Sequence, residues 1–241
     1  MHDAIFGLQV AVDHMADYNI RVVNLSLEST VAESYRTDPL DAAVEAAWFK
    51  GLVVVAAAGN RGSDADAVDY APGNDPYAIS VGAVRDHGTK QTSDDTRSDW
   101  SSRGTTQDGY AKPDLYAPGA RLYSTLSPGS KFASLCAACV TTDGQYIRAG
   151  GTSMSAPVVS GVVAALLEEH PSWTPDQVKG ALVHNLRELP GGGHEVDALA
   201  AYNASNDELV SNQGLEPSTL IDSATGEVDW ERSSWSGNVG Y

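Results

Sequence analysis

Cysteine is nearly absent from this chain: Cys136 and Cys139 are the only two among 241 residues. No disulfide framework can therefore stand in for a hydrophobic core. Zinc would need two further ligands, and none stands at a recognisable spacing, so the pair reads as a loop disulfide or as two free thiols. Basic residues are scarce as well, 15 against 32 acidic ones, for a formal net charge of −17. Such a surface repels nucleic acid and anionic membranes, and neither is expected as a partner. No apolar run is long enough to cross a bilayer, and Met1-His2-Asp3 lacks the basic-then-apolar order of an export signal. If the protein is exported, the signal is expected elsewhere than on this chain. No internal repeat is evident.

What the chain does contain is an alternation of helical and strand patterns over roughly its first two hundred residues. Ile5, Leu8, Ala11, Val12 and Met15 recur at helical spacing, with His14 and Asp17 on the other side and Asn19 as a natural end. Residues 21–27 read as a mostly buried strand, and 40–49 as a second helix stopped by Gly51. Residues 52–58 form a continuous apolar strand, 78–84 another, and 114–119 a short strand into a turn. Thr174 is placed to cap a further helix with Pro175 at its first position. Strands apolar on both faces alternating with helices predict a parallel sheet covered by helices. After about residue 203 the chain turns polar and acidic, and 204–241 is expected to be a tail that packs weakly if at all. The expected organisation is one domain over 1–203 followed by that tail.

The organising stretch is Gly150-Gly151-Thr152-Ser153-Met154-Ser155-Ala156-Pro157, leading into the apolar run Val158 to Leu167. It predicts a turn of small residues followed by a buried helix with Pro157 in its first turn. Gly161, Ala164 and Ala165 allow that helix to be packed closely on several sides. Ser153 would then lie at a helix N-terminus, where unpaired N–H groups favour a nearby negative charge. An isolated serine in such a position is an ordinary cap.

The whole octapeptide, however, resembles the nucleophile motif of the subtilisin-like serine proteases. Four further segments resemble that family in the same order: 23–27, 54–60, 70–83 and 98–119. The resemblance implies a three-layer α/β sandwich about a parallel sheet, and serine endopeptidase activity on protein or peptide substrates. It implies Ser153 as nucleophile, with Asn60 and the Ser153 N–H as oxyanion donors. Substrate-cleft walls would come from Ser26, Leu27 and Glu28 on one side and Ala57, Ala58 and Gly59 on the other. The family's setting is extracellular. It raises calcium as a cofactor, for which no ligand spacing here identifies a site. Glu28, where the family usually has glycine, and Arg61, beside Asn60, depart from the pattern with opposed charges near the substrate.

A serine hydroxyl needs a base, and the base needs an orienting group. The family's order is Asp, His, Ser, and neither its Asp-x-Gly nor its His-Gly-Thr string occurs here in the family's setting, ahead of the segments that match. His87-Gly88-Thr89 comes closest, but lies in a polar loop after the asparagine strand. The other histidines read as solvent-facing or helix-end residues. The expectation is a C-terminal portion of a protease domain, with the N-terminal strands and both missing residues supplied by another portion. The alternative is a non-catalytic module that binds peptide as an added strand.

Overall fold

The computed structural model describes residues 1–204 and 210–232. Helix α1 (His2–Asp13) and its short continuation α2 (Met15–Tyr18) end at Asn19, whose left-handed backbone (φ 51°) closes the turn. Strand β1 (Val22–Leu25) follows, then α3 (Pro39–Phe49). Asp38 caps α3 by accepting from the N–H groups of Leu40 and Asp41, and Pro39 takes the first helical position, where its missing N–H costs nothing. Strands β2 (Val53–Ala57) and β3 (Ile79–Arg85) come next. The polar stretch after them holds a 3-10 turn (Thr92–Asp94) and the two-residue strands β4 (Thr96–Arg97), β5 (Gly104–Thr105) and β6 (Ala111–Lys112).

Strand β7 (Leu115–Pro118) leads to β8 (Leu122–Thr125), then to the single turn α4 (Phe132–Leu135), and back along β9 (Tyr146–Ala149). β8 and β9 form an antiparallel hairpin, and Cys136 and Cys139 are disulfide-bonded in the long connection between them. Helix α5 (Thr152–Glu169) is the longest; α6 (Pro175–Val183), β10 (Leu186–Glu188), β11 (His194–Val196) and α7 (Ala198–Tyr202) complete the body. Thr174 caps α6 with Pro175 at its first position, as its sequence predicts, and Gln177 adds the reciprocal half of a capping box.

The central sheet runs β1-β2-β3-β7-β11-β10, parallel except where β10 meets β11, with β4 added antiparallel to β3. Every residue of β2 is buried, which requires cover on both faces. α5 crosses β1, β2, β3 and β7, while α3 packs on β2 and carries α1 outside it. The layering is helix, sheet, helix, and the expected α/β class holds.

Three expectations need correction. First, residues 210–232 are not a loose tail. The Tyr35 hydroxyl donates to the Glu216 carbonyl (2.9 Å), the Ser218 N–H donates to Glu45 Oε2 (2.7 Å), and Leu220 and Ile221 are buried against Ala42. Scattered apolar residues, with no period to betray them, dock onto a ready-made helix face. The remainder of the expected tail, 205–209 and 233–241, lies outside the described residues. Second, α5 is buried along one stripe only: Val159, Val163 and Leu166 are fully covered, whereas Val158, Gly161, Ala164 and Ala165 are exposed. Third, the first strand is not mostly buried: of residues 21–27 only Leu25 is, because β1 pairs with β2 alone and its other edge is open among the described residues.

At the amino ends of β3 and β7, two buried lysines act as tethered cations. Lys112 Nζ donates to the Asp75 carbonyl (2.6 Å) and pairs with Asp114 (2.9 Å), and Lys179 Nζ donates to the carbonyls of Pro76 (2.6 Å) and Ala78 (3.1 Å). Among the described residues no group of three or more His, Cys, Asp or Glu side chains comes together as a metal site.

Candidate functional site

Parallel strands deliver their carboxyl ends to one rim of the sheet, and that rim collects β1, β2, β3, the β8–β9 hairpin and the start of α5. Gly151 caps α5 with a backbone (φ 154°) that favours glycine, so Thr152 and Ser153 are its first two residues. Ser153 is therefore one of the helix-start positions whose N–H has no partner inside the helix, and its N–H makes no hydrogen bond among the described residues. Pro157 sits one turn further in than its sequence suggests, in the second turn. There its missing N–H leaves the Ser153 carbonyl without the usual i+4 donor. Ser26 Oγ fills that vacancy, donating to the Ser153 carbonyl at 2.8 Å. Ser153 Oγ donates in return to the Ser26 carbonyl at 3.3 Å.

Asn60 ends the β2 segment, and its side chain is held by a residue that sequence reasoning passed over. Thr152, fully buried, donates from its N–H (3.0 Å) and its Oγ1 (3.3 Å) to Asn60 Oδ1, and its Oγ1 accepts the Gly59 N–H at 3.1 Å. With the amide oxygen engaged from below, Asn60 Nδ2 faces away from Thr152 and makes no hydrogen bond among the described residues. Asn60 Nδ2 and the Ser153 N–H are thus two unpartnered donors on residues that both adjoin Thr152, Asn60 through its hydrogen bonds and Ser153 along the chain. The signal for Thr152 was its place inside the octapeptide; its role needs the contact with Asn60, which lies 92 residues away in sequence.

The two segments expected to wall a cleft follow neighbouring parallel strands, with Leu25 paired to Ala56. Ser26, Leu27 and Glu28 are exposed beyond the end of β1, opposite the buried Ala57, Ala58 and Gly59. Gly59 must be glycine twice over: its φ is +97°, and a Cβ would come within 2.6 Å of Glu28 Oε2 and 2.8 Å of Ser102 Oγ. The charges of Glu28 and Arg61 do not compete for a substrate as the sequence suggested. They pair with each other across Gly59 at 3.1 Å, with the Arg61 guanidinium lying 3.8 Å over the Tyr70 ring. On the hairpin side, an apolar cleft of about 380 Å³ is lined by Phe132, Ile147, Met154 and Pro157, with Ser153 at its edge.

None of the described histidines reaches Ser153, whose hydroxyl is engaged with Ser26 alone. His14 bonds Asp17 on the exposed face of the first helices, His87 bonds Thr96 Oγ1 in a turn, and His170 stacks on Trp173 at the end of α5.

Ser153 thus lies at the start of a helix packed across a mostly parallel sheet. The model of the Subtilase family matches residues 7–214, and the chain belongs to that family. It is 34% identical over 209 residues to the serine protease AprX of Bacillus subtilis (strain 168), covering 85% of this chain and 47% of that protein. It is also 34% identical over 180 residues to subtilisin E of the same organism, covering 74% of this chain and 38% of that one. The chain thus spans less than half the length of these two curated relatives. Among solved structures it resembles a cold-adapted subtilisin-like serine proteinase at 29% identity and a TM-score of 0.55, covering 80% of this chain and 60% of that one.

Proposed function

We propose that this chain carries the nucleophile and oxyanion half of a serine endopeptidase acting on protein substrates through an acyl-enzyme on Ser153. The observation that carries the reading is the tie of Asn60 Oδ1 to Thr152, the residue before Ser153, which leaves Asn60 Nδ2 and the Ser153 N–H as two donors without partners among the described residues. Ser153 Oγ would attack the scissile carbonyl carbon while a base takes its proton. The carbonyl oxygen, now negative, would sit between the two donors. The proton would pass to the leaving amine as the C–N bond breaks, and water would repeat the sequence to release the acid.

The base and its orienting carboxylate come, in this reading, from a portion of the protein outside these 241 residues. The open edge of β1 and the exposed stripe Val158, Gly161 and Ala165 on α5, the helix that packs on β1, support a partner surface there. The Cys136–Cys139 disulfide supports an oxidising, extracellular setting. A second reading, a peptide-binding module without catalysis, is favoured by the absence of any described histidine at Ser153.

Labelling with a serine-directed phosphonate separates the two. The 241-residue chain alone should label slowly, since oxyanion binding without a base leaves only about 10³–10⁴ over water. Co-expression with the upstream-encoded segment should restore fast labelling and hydrolysis, both abolished by Ser153→Ala. If that pairing restores neither, the module reading stands instead.

A further inference from the structure

Arginine is scarce in this acidic chain, and each one is therefore informative. Arg36, Arg61, Arg187 and Arg232 are in ion pairs with carboxylates, and Arg21, Arg97 and Arg103 donate to backbone carbonyls. Three remain, Arg85, Arg121 and Arg148, and among the described residues none of their side chains makes a hydrogen bond or an ion pair. All three line a single cleft of about 460 Å³, together with Trp100, Gly150 and Asn60. They arrive there from separate elements: Arg85 ends β3, Arg121 precedes β8, and Arg148 lies on β9 opposite Tyr123. Asp86 and Asp99 stand next in the chain to Arg85 and Trp100, yet neither pairs with the three.

In a protein of net charge −17, free guanidinium groups do not collect in one concavity for want of carboxylates to pair with. Repulsion among them opposes the arrangement unless an anion is to be placed there. The cleft adjoins Asn60 on the hairpin side, across from the Glu28–Arg61 bridge between the two walls. We propose that it is a subsite for a peptide carboxylate beside Asn60, making the enzyme selective for acidic substrates. This rests on the peptide-cleaving reading of the same rim. The guanidinium fork suits a carboxylate, and the half-buried Trp100 ring offers a flat apolar wall for the chain that carries it.

The carboxylate could belong to an Asp or Glu side chain or to a peptide C-terminus, and three synthetic peptides distinguish these. One is C-terminally amidated with a central Glu, the second replaces that Glu by Gln, and the third is the Gln peptide with a free C-terminus. Their binding to the 241-residue chain is measured by competition fluorescence anisotropy. The Glu peptide, the free-acid peptide, or both should bind about tenfold more tightly than the amidated Gln peptide, the effect of one good charge-assisted hydrogen bond. The preference should shrink in high salt, vanish in the Arg85→Gln/Arg121→Gln/Arg148→Gln triple variant, and partly survive with lysine at the three positions. Circular dichroism of the variants, all altered on the surface, checks that the fold persists. Equal affinities for the three peptides, no binding of any, or a preference that survives the triple glutamine change would overturn the proposal. Because the readout is binding, a chain that prefers acidic peptides but never labels at Ser153 sinks only the acyl-enzyme reading. A chain that labels without any preference sinks only the subsite.

Discussion

Ser26 and Ser153 hold each other by reciprocal hydrogen bonds, the Ser26 hydroxyl on the Ser153 carbonyl (2.8 Å) and the Ser153 hydroxyl on the Ser26 carbonyl (3.3 Å). The first bond exists because Pro157 cannot supply the helical donor. The second parks the hydroxyl against a cleft wall until something stronger engages it. Ser26 itself is steadied by Asn24 Nδ2 (2.8 Å), and Asn24 Oδ1 by Ser160 (3.1 Å), so β1 is laced to α5 along its polar side. Ser26→Ala should cost about 1 kcal/mol, the usual net worth of one such bond, read as a lower urea midpoint with an unchanged m-value. A midpoint equal to wild type would show that the lacing does not matter.

Thr152 is expected to act on the reaction only through Asn60. In the complemented, active enzyme, Asn60→Ala should lower turnover by about 10²- to 10³-fold, a figure that comes from a subtilisin. Thr152→Val removes one of the two bonds to Asn60 Oδ1 and should give a smaller loss in kcat with KM little changed. A Thr152→Ser variant that restores kcat would confirm the hydroxyl as the positioning group; a valine variant with full kcat would refute it.

Gly119 allows the closest approach at the rim, since a Cβ there would overlap Ser155 Oγ and come within 2.8 Å of Ala83 Cβ. Gly119→Ala should therefore push α5 off β3 and destabilise by about 1–3 kcal/mol, as overpacking does. Gly161→Ala is the control, because nothing lies within 4 Å of that position and alanine is the better helix former. Thermal melts should separate the two variants in opposite directions.

Removing residues 210–241 should lower the melting temperature rather than leave it unchanged. The cut strips Leu220 and Ile221 from Ala42 and leaves Glu45 Oε2 without the Ser218 N–H. A truncated chain with an unaltered melt would restore the reading of a passive tail.

Stability should also fall toward neutral pH. Burial, with Asp75 nearby, pushes the Glu45 carboxyl up to about 10, and burial pushes Asp75 to about 7. A carboxyl whose folded pKa is raised binds its proton more tightly in the folded chain. Its contribution is full below the unfolded pKa and is lost as pH rises through the folded value. Asp114 behaves oppositely: burial alone would raise it, but Lys112 and Lys179 outweigh this and hold it below its ordinary 3.8. Its contribution is lost only in stronger acid. The melting temperature should peak near the ordinary carboxylate values, at about pH 4–5, and decline toward pH 7. Glu45→Gln keeps an oxygen for Ser218 and should flatten that decline. A melting temperature that climbs from pH 5 to 7 would rule this out.

Periodicity determined the order α1, β1, α3, β2, β3 and β7, because burial on one helix face or on both strand faces writes itself into local spacing, whereas the β8–β9 hairpin, β10, β11 and α7 carried no such signal. Capping did the same for α6, where Thr174, Pro175 and Gln177 lie within one turn. The nucleophile helix was legible through a run of eight adjacent residues. What remained hidden depends on contacts between positions far apart in sequence. The docking of 210–232 needs the face of α3, the Glu28–Arg61 bridge needs the bend at Gly59, and the clamp of Thr152 on Asn60 needs β2 and α5 side by side. The arginine cleft is the clearest case. Arg85, Arg121 and Arg148 lie 36 and 27 positions apart and look like ordinary surface charge in one dimension. Only the closure of β3 against β7 and the return of the hairpin over the sheet rim bring them to one cavity, because side-chain charge has no local period for a sequence to show.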